Sequence, residues 1–219
     1  MADHGIFNGL PLIWSALAGD SDLPDVRVAG AGDLPSAYAV SDLASAAVGA
    51  LGAAVSEWMA GEAGGAPRVA VDRRLASHWF ATSYRPDGWE RPSSWDAVAG
   101  DYPAADGWIR LHTNAPHHRK AALSVLGVDA DRDAVGRAVA GWEADALEAA
   151  VVAAGGCAAA MRTRAEWLTH PQGAAVATEP LIWREVGSES PGLHRSRPPG
   201  RPLSGVRVLD LTRVLAGPV

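Results

Sequence analysis

Apolar and polar positions fall into blocks along the chain, and the blocks predict helices and short strands in turn. Residues 10–18 (LPLIWSALA) read as a short helix closed by Gly19. Residues 20–37 carry Asp, Gly and Pro, and only Val26-Arg27-Val28 alternates, which predicts a loop with one short strand. Residues 42–60 (DLASAAVGALGAAVSEWMA) give the clearest helix, with Ser41 or Asp42 as its cap and Gly61 as its stop. Its apolar residues lie on nearly every face and are mostly small. That pattern predicts a buried helix onto which another backbone packs closely. It reads as too short and too weakly apolar to span a bilayer.

Arg68-Val69-Ala70-Val71-Asp72 alternates as a strand does, and RRLASHWF after it has helical spacing. Residues 84–107 form a long irregular stretch, of the kind that crosses between domains or covers a site. Trp108 to His112 alternates after the Asp106-Gly107 turn and predicts a strand. Pro116 suits the first position of a helix running to Gly127. Helices are predicted over 131–141 and 143–154, a short strand over 157–161, and a helix opened by the capping box Thr163-x-x-Glu166. Pro180 to Arg184 reads as extended, and 186–202 (VGSESPGLHRSRPPGRP) as a linker whose arginines are solvated. Gly205 to Leu211 (GVRVLDL) reads as a buried strand of the α/β kind. With no helix after it, the chain is expected to be a fragment, or one half of a split protein.

Composition narrows the function classes. The 219 residues carry a formal net charge of −6, so no strongly basic field exists to hold a nucleic acid. One Cys excludes an intramolecular disulfide framework and any Cys-rich zinc module. The N-terminal MADHGIFNGLPLIW lacks a basic n-region and a clear apolar core, so no secretory signal is read, and a soluble, cytoplasmic protein without a membrane partner is expected. Lys120 is the sole lysine, so a Schiff base has one possible place. Nine Trp against two Phe and three Tyr include Trp89, Trp95 and Trp108, which are expected at a core edge or lining a cleft.

Few side chains stand out as chemistry. Asp42 at the start of the alanine-rich helix is either an ordinary cap or a carboxylate nucleophile, which could attack an activated acyl group to give a mixed anhydride. Helix-start amides would stabilise its charge and that of an adjoining oxyanion. His112, His117 and His118 lack an acidic partner at a ligand spacing and read as a surface cluster, with no metal expected. Cys157 sits in an apolar run and reads as a small core residue. Gly61, Gly64 and Gly65 do not form a phosphate loop.

Three stretches carry a resemblance. PLSGVRVLDLTRVLAGP (202–218) closely resembles the opening strand and turn of family III CoA-transferases, the CaiB/BaiF class. AVSDLASAAVGALGAAVSEWMAGEAGGAPRVAVDRRLASHWF (39–80) resembles that family's stretch around its catalytic aspartate, and DYPAADGWIRLHTNAPHHRKAALSVLG (101–127) resembles the start of its small domain. The order of the parts differs from the family, since the aspartate-type helix comes first and the CoA-type strand last. Ser41 stands where a glycine commonly precedes the family aspartate, and Leu215 where relatives often place a polar residue.

The resemblance implies an α/β fold, with a partial Rossmann-like large domain and a small α+β domain. The parts would be 1–83 with the aspartate-type helix, 84–185 with the small domain, the linker 186–202, and 203–219 opening a truncated CoA-binding domain. It implies transfer of CoA from an acyl-CoA donor to a carboxylic acid through an aspartyl-CoA intermediate. Asp42 would be the nucleophile, and Arg213, Val214, Leu215 and Ala216 would meet coenzyme A. It also implies two interlocked chains or pairing with a missing half. The alternative is a non-catalytic, structural half of such an enzyme, without a CoA site of its own.

Overall fold

The computed structural model describes residues 9–63, 65–81, 85–185 and 201–212. The chain is mixed α/β, with helices and small parallel and antiparallel sheets. It divides into two compact units, Met1–Arg85 with Pro180–Val219, and Pro86–Glu179.

In the first unit, α1 (Gly9–Ala18) stops at Gly19, whose left-handed φ of 66° lets its amide turn back to the Ser15 carbonyl at 2.9 Å. Strand β1 (Val26–Ala29), helix α2 (Val40–Ala63) and strand β2 (Val69–Asp72) make a β-α-β unit, and α3 (Arg73–Ala81) follows without a break. The strands are parallel, with Val26 opposite Val69 and Ala29 opposite Asp72, which a crossover as long as α2 makes possible. Small residues set the seating of α2. A Cβ on Gly49 would lie 3.3 Å from Leu10 Cδ1 and 3.4 Å from Val26 Cγ1, and one on Gly52 only 2.6 Å from Val69 Cγ1. Ala44, Val71 and Ala76 form the buried centre, with Val26 and Val69 against them.

The second unit packs helices on a three-stranded antiparallel sheet. Its order is β3 (Gly100–Pro103), β4 (Trp108–Leu111), β5 (Ala158–Ala160). Helix α4 (Pro116–Leu126) has Pro at its first position and ends on Gly127, again left-handed. Asp131 caps α5 (Arg132–Val139) through Ala134 N. Helix α6 (Ala144–Ala153) is capped at Ala144 N by Asp106, reaching 2.8 Å from the β3–β4 turn. The box Thr163–Glu166 opens α7 (Arg164–Thr169), and the His170 ring opens α8 (Pro171–Ala177) through Gln172 N. Ile109, Leu111, Val139, Leu147 and Val151 make a core at 0–1% exposure.

Asp96 fastens the loop before β3 to the start of α4. Its carboxylate accepts from Thr113 Oγ1 at 2.8 Å, Val98 N at 3.2 Å and Arg119 Nη1 at 2.9 Å. Burial pushes its pKa up, but the bonds from Thr113 and Val98 and the Arg119 charge outweigh that, and the net direction is down from 3.8. A lowered folded pKa means its stabilisation is present above the unfolded value and lost as pH falls through the folded one. Asp96→Asn is therefore expected to weaken the folded state at neutral pH and to flatten the loss of stability below about pH 4, as followed by urea unfolding at stepped pH.

Several expectations are corrected. Helix α2 begins at Val40, so Ser41 and Asp42 lie inside its first turn, and it runs past Gly61. It is not buried all round: Ser41, Ala44, Ser45, Ala53 and Ser56 are buried, while Leu43, Leu51 and Trp58 are 43%, 66% and 41% exposed. Nor is it too short for a membrane. Val40–Ala60, with mean hydropathy 1.3, has the length and composition to cross one, as a soluble core helix of small residues also has. The irregular stretch hides β3, whose Gly and Pro masked its strand character. Residues 171–177 add a helix that was not predicted. Pro180 to Arg184 bends at 181–182 and joins no sheet. Gly205 to Leu211 is neither a strand nor buried: no described strand pairs with it, and Val208, Leu209 and Leu211 are 81–84% exposed. Cys157 is exposed, in the single-residue link between the Gly155-Gly156 turn and β5, rather than in the core.

Candidate functional site

The carboxyl ends of β1 and β2 bring three charged side chains together, Asp33, Asp42 and Arg73. After β1 the chain passes Gly30 and Gly32, with φ of 89° and 106°, a path that only glycine takes cheaply. The loop then presents Asp33 and enters α2, where Asp42 stands in the first turn. After β2, Asp72 accepts from Leu75 N at 3.0 Å, and Arg73 opens α3. Open α/β sheets bind ligands at this end of their strands.

Arg73 is the hub. Its Nη1 lies 2.7 Å from Asp42 Oδ1, its Nη2 pairs with Asp33, and its Nε donates to the Gly32 carbonyl at 3.2 Å. The Arg73 side chain is 18% exposed and that of Asp42 28%. The hydrogen bond to Asp33 raises the Arg73 pKa above its ordinary value against the lowering effect of burial, and Asp42 adds to the rise. The guanidinium is thus a permanent cation shared by two carboxylates. If Asp42 becomes esterified or acylated it loses its charge, and Arg73 stays compensated by Asp33.

Serine hydroxyls fix the frame around this bridge. The Ser41 and Ser77 hydroxyls hydrogen-bond each other at 2.8 Å, Ser41 Oγ accepts from Leu34 N at 2.9 Å, and Ser77 donates to the Arg73 carbonyl at 2.8 Å. A cavity of about 390 Å³ opens beside them, lined by residues 31–34 with Arg74, Ser77 and His78. Asp42 is not in that lining; it lies against Arg73, whose other partner, Asp33, is.

Of the residues singled out in the sequence, Asp42 belongs to this cluster. Arg213, Val214, Leu215 and Ala216 lie outside the described residues. Asp33, Arg73 and Ser77 were missed. The signal for Arg73 was available: a residue directly after the second strand of a β-α-β unit lands beside the start of the crossover helix. In the second unit, the His112, His117 and His118 rings do cluster: the His118 centroid lies 6.4 Å from that of His112 and 4.2 Å from that of His117. Among the described residues no group of His, Cys, Asp and Glu is placed to hold a metal ion. Trp95, half exposed, carries the Arg110 guanidinium 4.6 Å over its ring.

No family model matches the chain, and no curated protein matches it. Among solved structures it is similar to Rv3272 from M. tuberculosis, in an orthorhombic crystal form with a TM-score of 0.51 and 17% identity. A second structure of Rv3272, described as a hypothetical protein from Mycobacterium tuberculosis, gives 0.50 and 18%. Each comparison covers 80% of this chain and 53% of the neighbour, so the chain spans about half the length of that protein. At such identity the likeness is one of fold.

Proposed function

We propose that the chain takes part in acyl-CoA transfer of the family III CoA-transferase kind, within a partly Rossmann-like α/β fold. The observation that carries the reading is Asp42, a partly accessible carboxylate in the first turn of an alanine- and glycine-rich helix, at the carboxyl ends of parallel strands and against one guanidinium. The chemistry is the one the family resemblance implies. An Asp42 oxygen attacks the thioester carbonyl of the donor, the C–S bond breaks, and CoA leaves as thiolate, giving a mixed anhydride. The thiolate attacks the Asp42 carbonyl, which releases the donor acid and forms an aspartyl-CoA thioester. An acceptor carboxylate attacks that thioester carbonyl and takes the aspartyl acyl group as a new anhydride. The freed thiolate then attacks the acceptor's carbonyl and restores Asp42. Arg73 steadies the carboxylate before attack and the developing oxyanion after it.

The other reading, a structural half without chemistry of its own, is favoured by the hold of Arg73 on Asp42 and by the absence of Asp42 from the lining of the neighbouring cavity. One experiment separates the two. The chain is incubated with acetyl-CoA and hydroxylamine and then mapped by peptide mass spectrometry. The transferase reading expects a hydroxamate at Asp42 that Asp42→Asn abolishes. A folded chain whose Asp42 stays unmodified overturns it.

A further inference from the structure

Helix α8 buries little. It is seven residues long, below the length at which a helix persists by itself. Gly173 is its one buried residue, and Val176 is 46% exposed. Gly173 presses so close to the end of α7 that an added Cβ would overlap the Trp167 carbonyl. A helix with so small a buried face depends on how its ends are satisfied.

Its N-cap is a histidine used in the neutral form. His170 Nδ1 accepts from Gln172 N at 3.2 Å. A ring nitrogen accepts only while it carries no proton, so this bond puts the imidazole proton on Nε2 and requires an uncharged ring. The ring also stacks on Trp167, with centroids 5.5 Å apart and planes at 10°. A proton taken from solvent onto Nδ1 would set one donor against another, Gln172 N–H, and place a cation at the positive end of the helix. Both changes break the cap.

The same ring borders an acidic lining. It lies in the walls of two cavities, of about 340 and 540 Å³, which also share Ala160 and Arg162. The charged groups of these walls are Asp106 from the β3–β4 turn, Asp145 and Glu148 from α6, Arg162 after β5, and Glu166 from α7. Arg162 pairs with Asp145 and Glu148, Glu166 accepts from Thr163 N, and Asp106 accepts from Ala144 N. Among the described residues none of the five pairs with His170. One cation against four carboxylates leaves the walls negative, so a charged ring is drawn off the cap and toward them.

We propose that His170 is a proton-operated catch on α8. The neutral ring caps the helix, and the protonated ring leaves Gln172 for the acidic walls and lets residues 171–177 open. The catch sits in the last element of the second unit, just before the chain returns to the first unit at Pro180. It does not depend on the transferase reading.

Hydrogen exchange of the full chain tests it, resolved by peptide and corrected for the intrinsic pH dependence of exchange. It is read at about pH 7.5 and about pH 5.5, either side of the range in which imidazole protonates. In the wild type, protection over 172–177 is expected to fall about fivefold on acidification, the effect of losing one helix cap, while α6 keeps its protection. His170→Asn supplies a cap that does not titrate, and is expected to protect 172–177 equally at both pH values. His170→Ala is expected to leave the segment open at both. Wild-type protection that does not change with pH overturns the proposal. So does a fall shared by α6, a fall that His170→Asn retains, or protection in His170→Ala that matches the wild type at the higher pH.

Discussion

Leu147→Ala is expected to lower the unfolding free energy of the second unit by about 2–5 kcal/mol, the range for emptying a sealed leucine site. Leu147 is 0% exposed on α6 and belongs to the buried core that includes Ile109, Leu111 and Val151, themselves at 0–1%. Such walls are held by a three-stranded sheet on one side and capped helices on the other, so they collapse little into the void. Val152→Ala, five residues along the same helix, is the matched comparison. Val152 is 54% exposed, and its truncation is expected to fall within about 0.5 kcal/mol of the wild type. Urea titration followed by tryptophan fluorescence reads both. Equal effects from the two would mean that α6 does not face the core as described.

The second large effect is expected at Gly52. A Cβ there would sit 2.6 Å from Val69 Cγ1, a stiff, short branch on β2 that cannot swing aside. Gly52→Val gains a few tenths of a kcal/mol in helix propensity, but overpacking costs about 1–3 kcal/mol, so the balance is destabilising. The displacement has a chemical consequence as well. Asp42 rides on α2 whereas Arg73 follows directly from β2, so pushing the helix off the strand lengthens the 2.7 Å contact between them. Thermal melting and the Asp42 hydroxamate yield should change together. Gly107→Ala, where an added Cβ meets nothing within 4 Å, should change neither.

The elements legible in the sequence were those whose signals are local. Gly19, Pro116, Gly127 and the Thr163–Glu166 box mark helix ends through their own backbone chemistry, and the structure puts helix ends there. Val26–Ala29 and Val69–Asp72 alternate, and they form the parallel pair. Strand β3 was hidden because Gly100 and Pro103 are poor strand formers, held here by pairing with Leu111 and Trp108. Periodicity misjudged α2 for a related reason. Alanine counts as apolar on every face, but the face bearing Leu43, Leu51 and Trp58 stays open, while Ser41, Ser45 and Ser56 are buried because their hydroxyls return their bonds to nearby backbone or to Ser77. For the site, Asp42 was visible as a carboxylate at a helix start. Its partners Asp33 and Arg73, which lie 9 and 31 residues away in sequence, are joined to it only by the fold.

The chain order of the two units has a consequence for synthesis. Residues 86–179 are one unbroken stretch, whereas the other unit is assembled from pieces on both sides of it. As the polypeptide leaves the ribosome, the central stretch therefore emerges whole while the earlier piece still lacks the Pro202 carbonyl to which the Trp58 indole donates. Domains fold as units once their residues are available, so the middle of this protein should mature first during translation, ahead of the segment made before it.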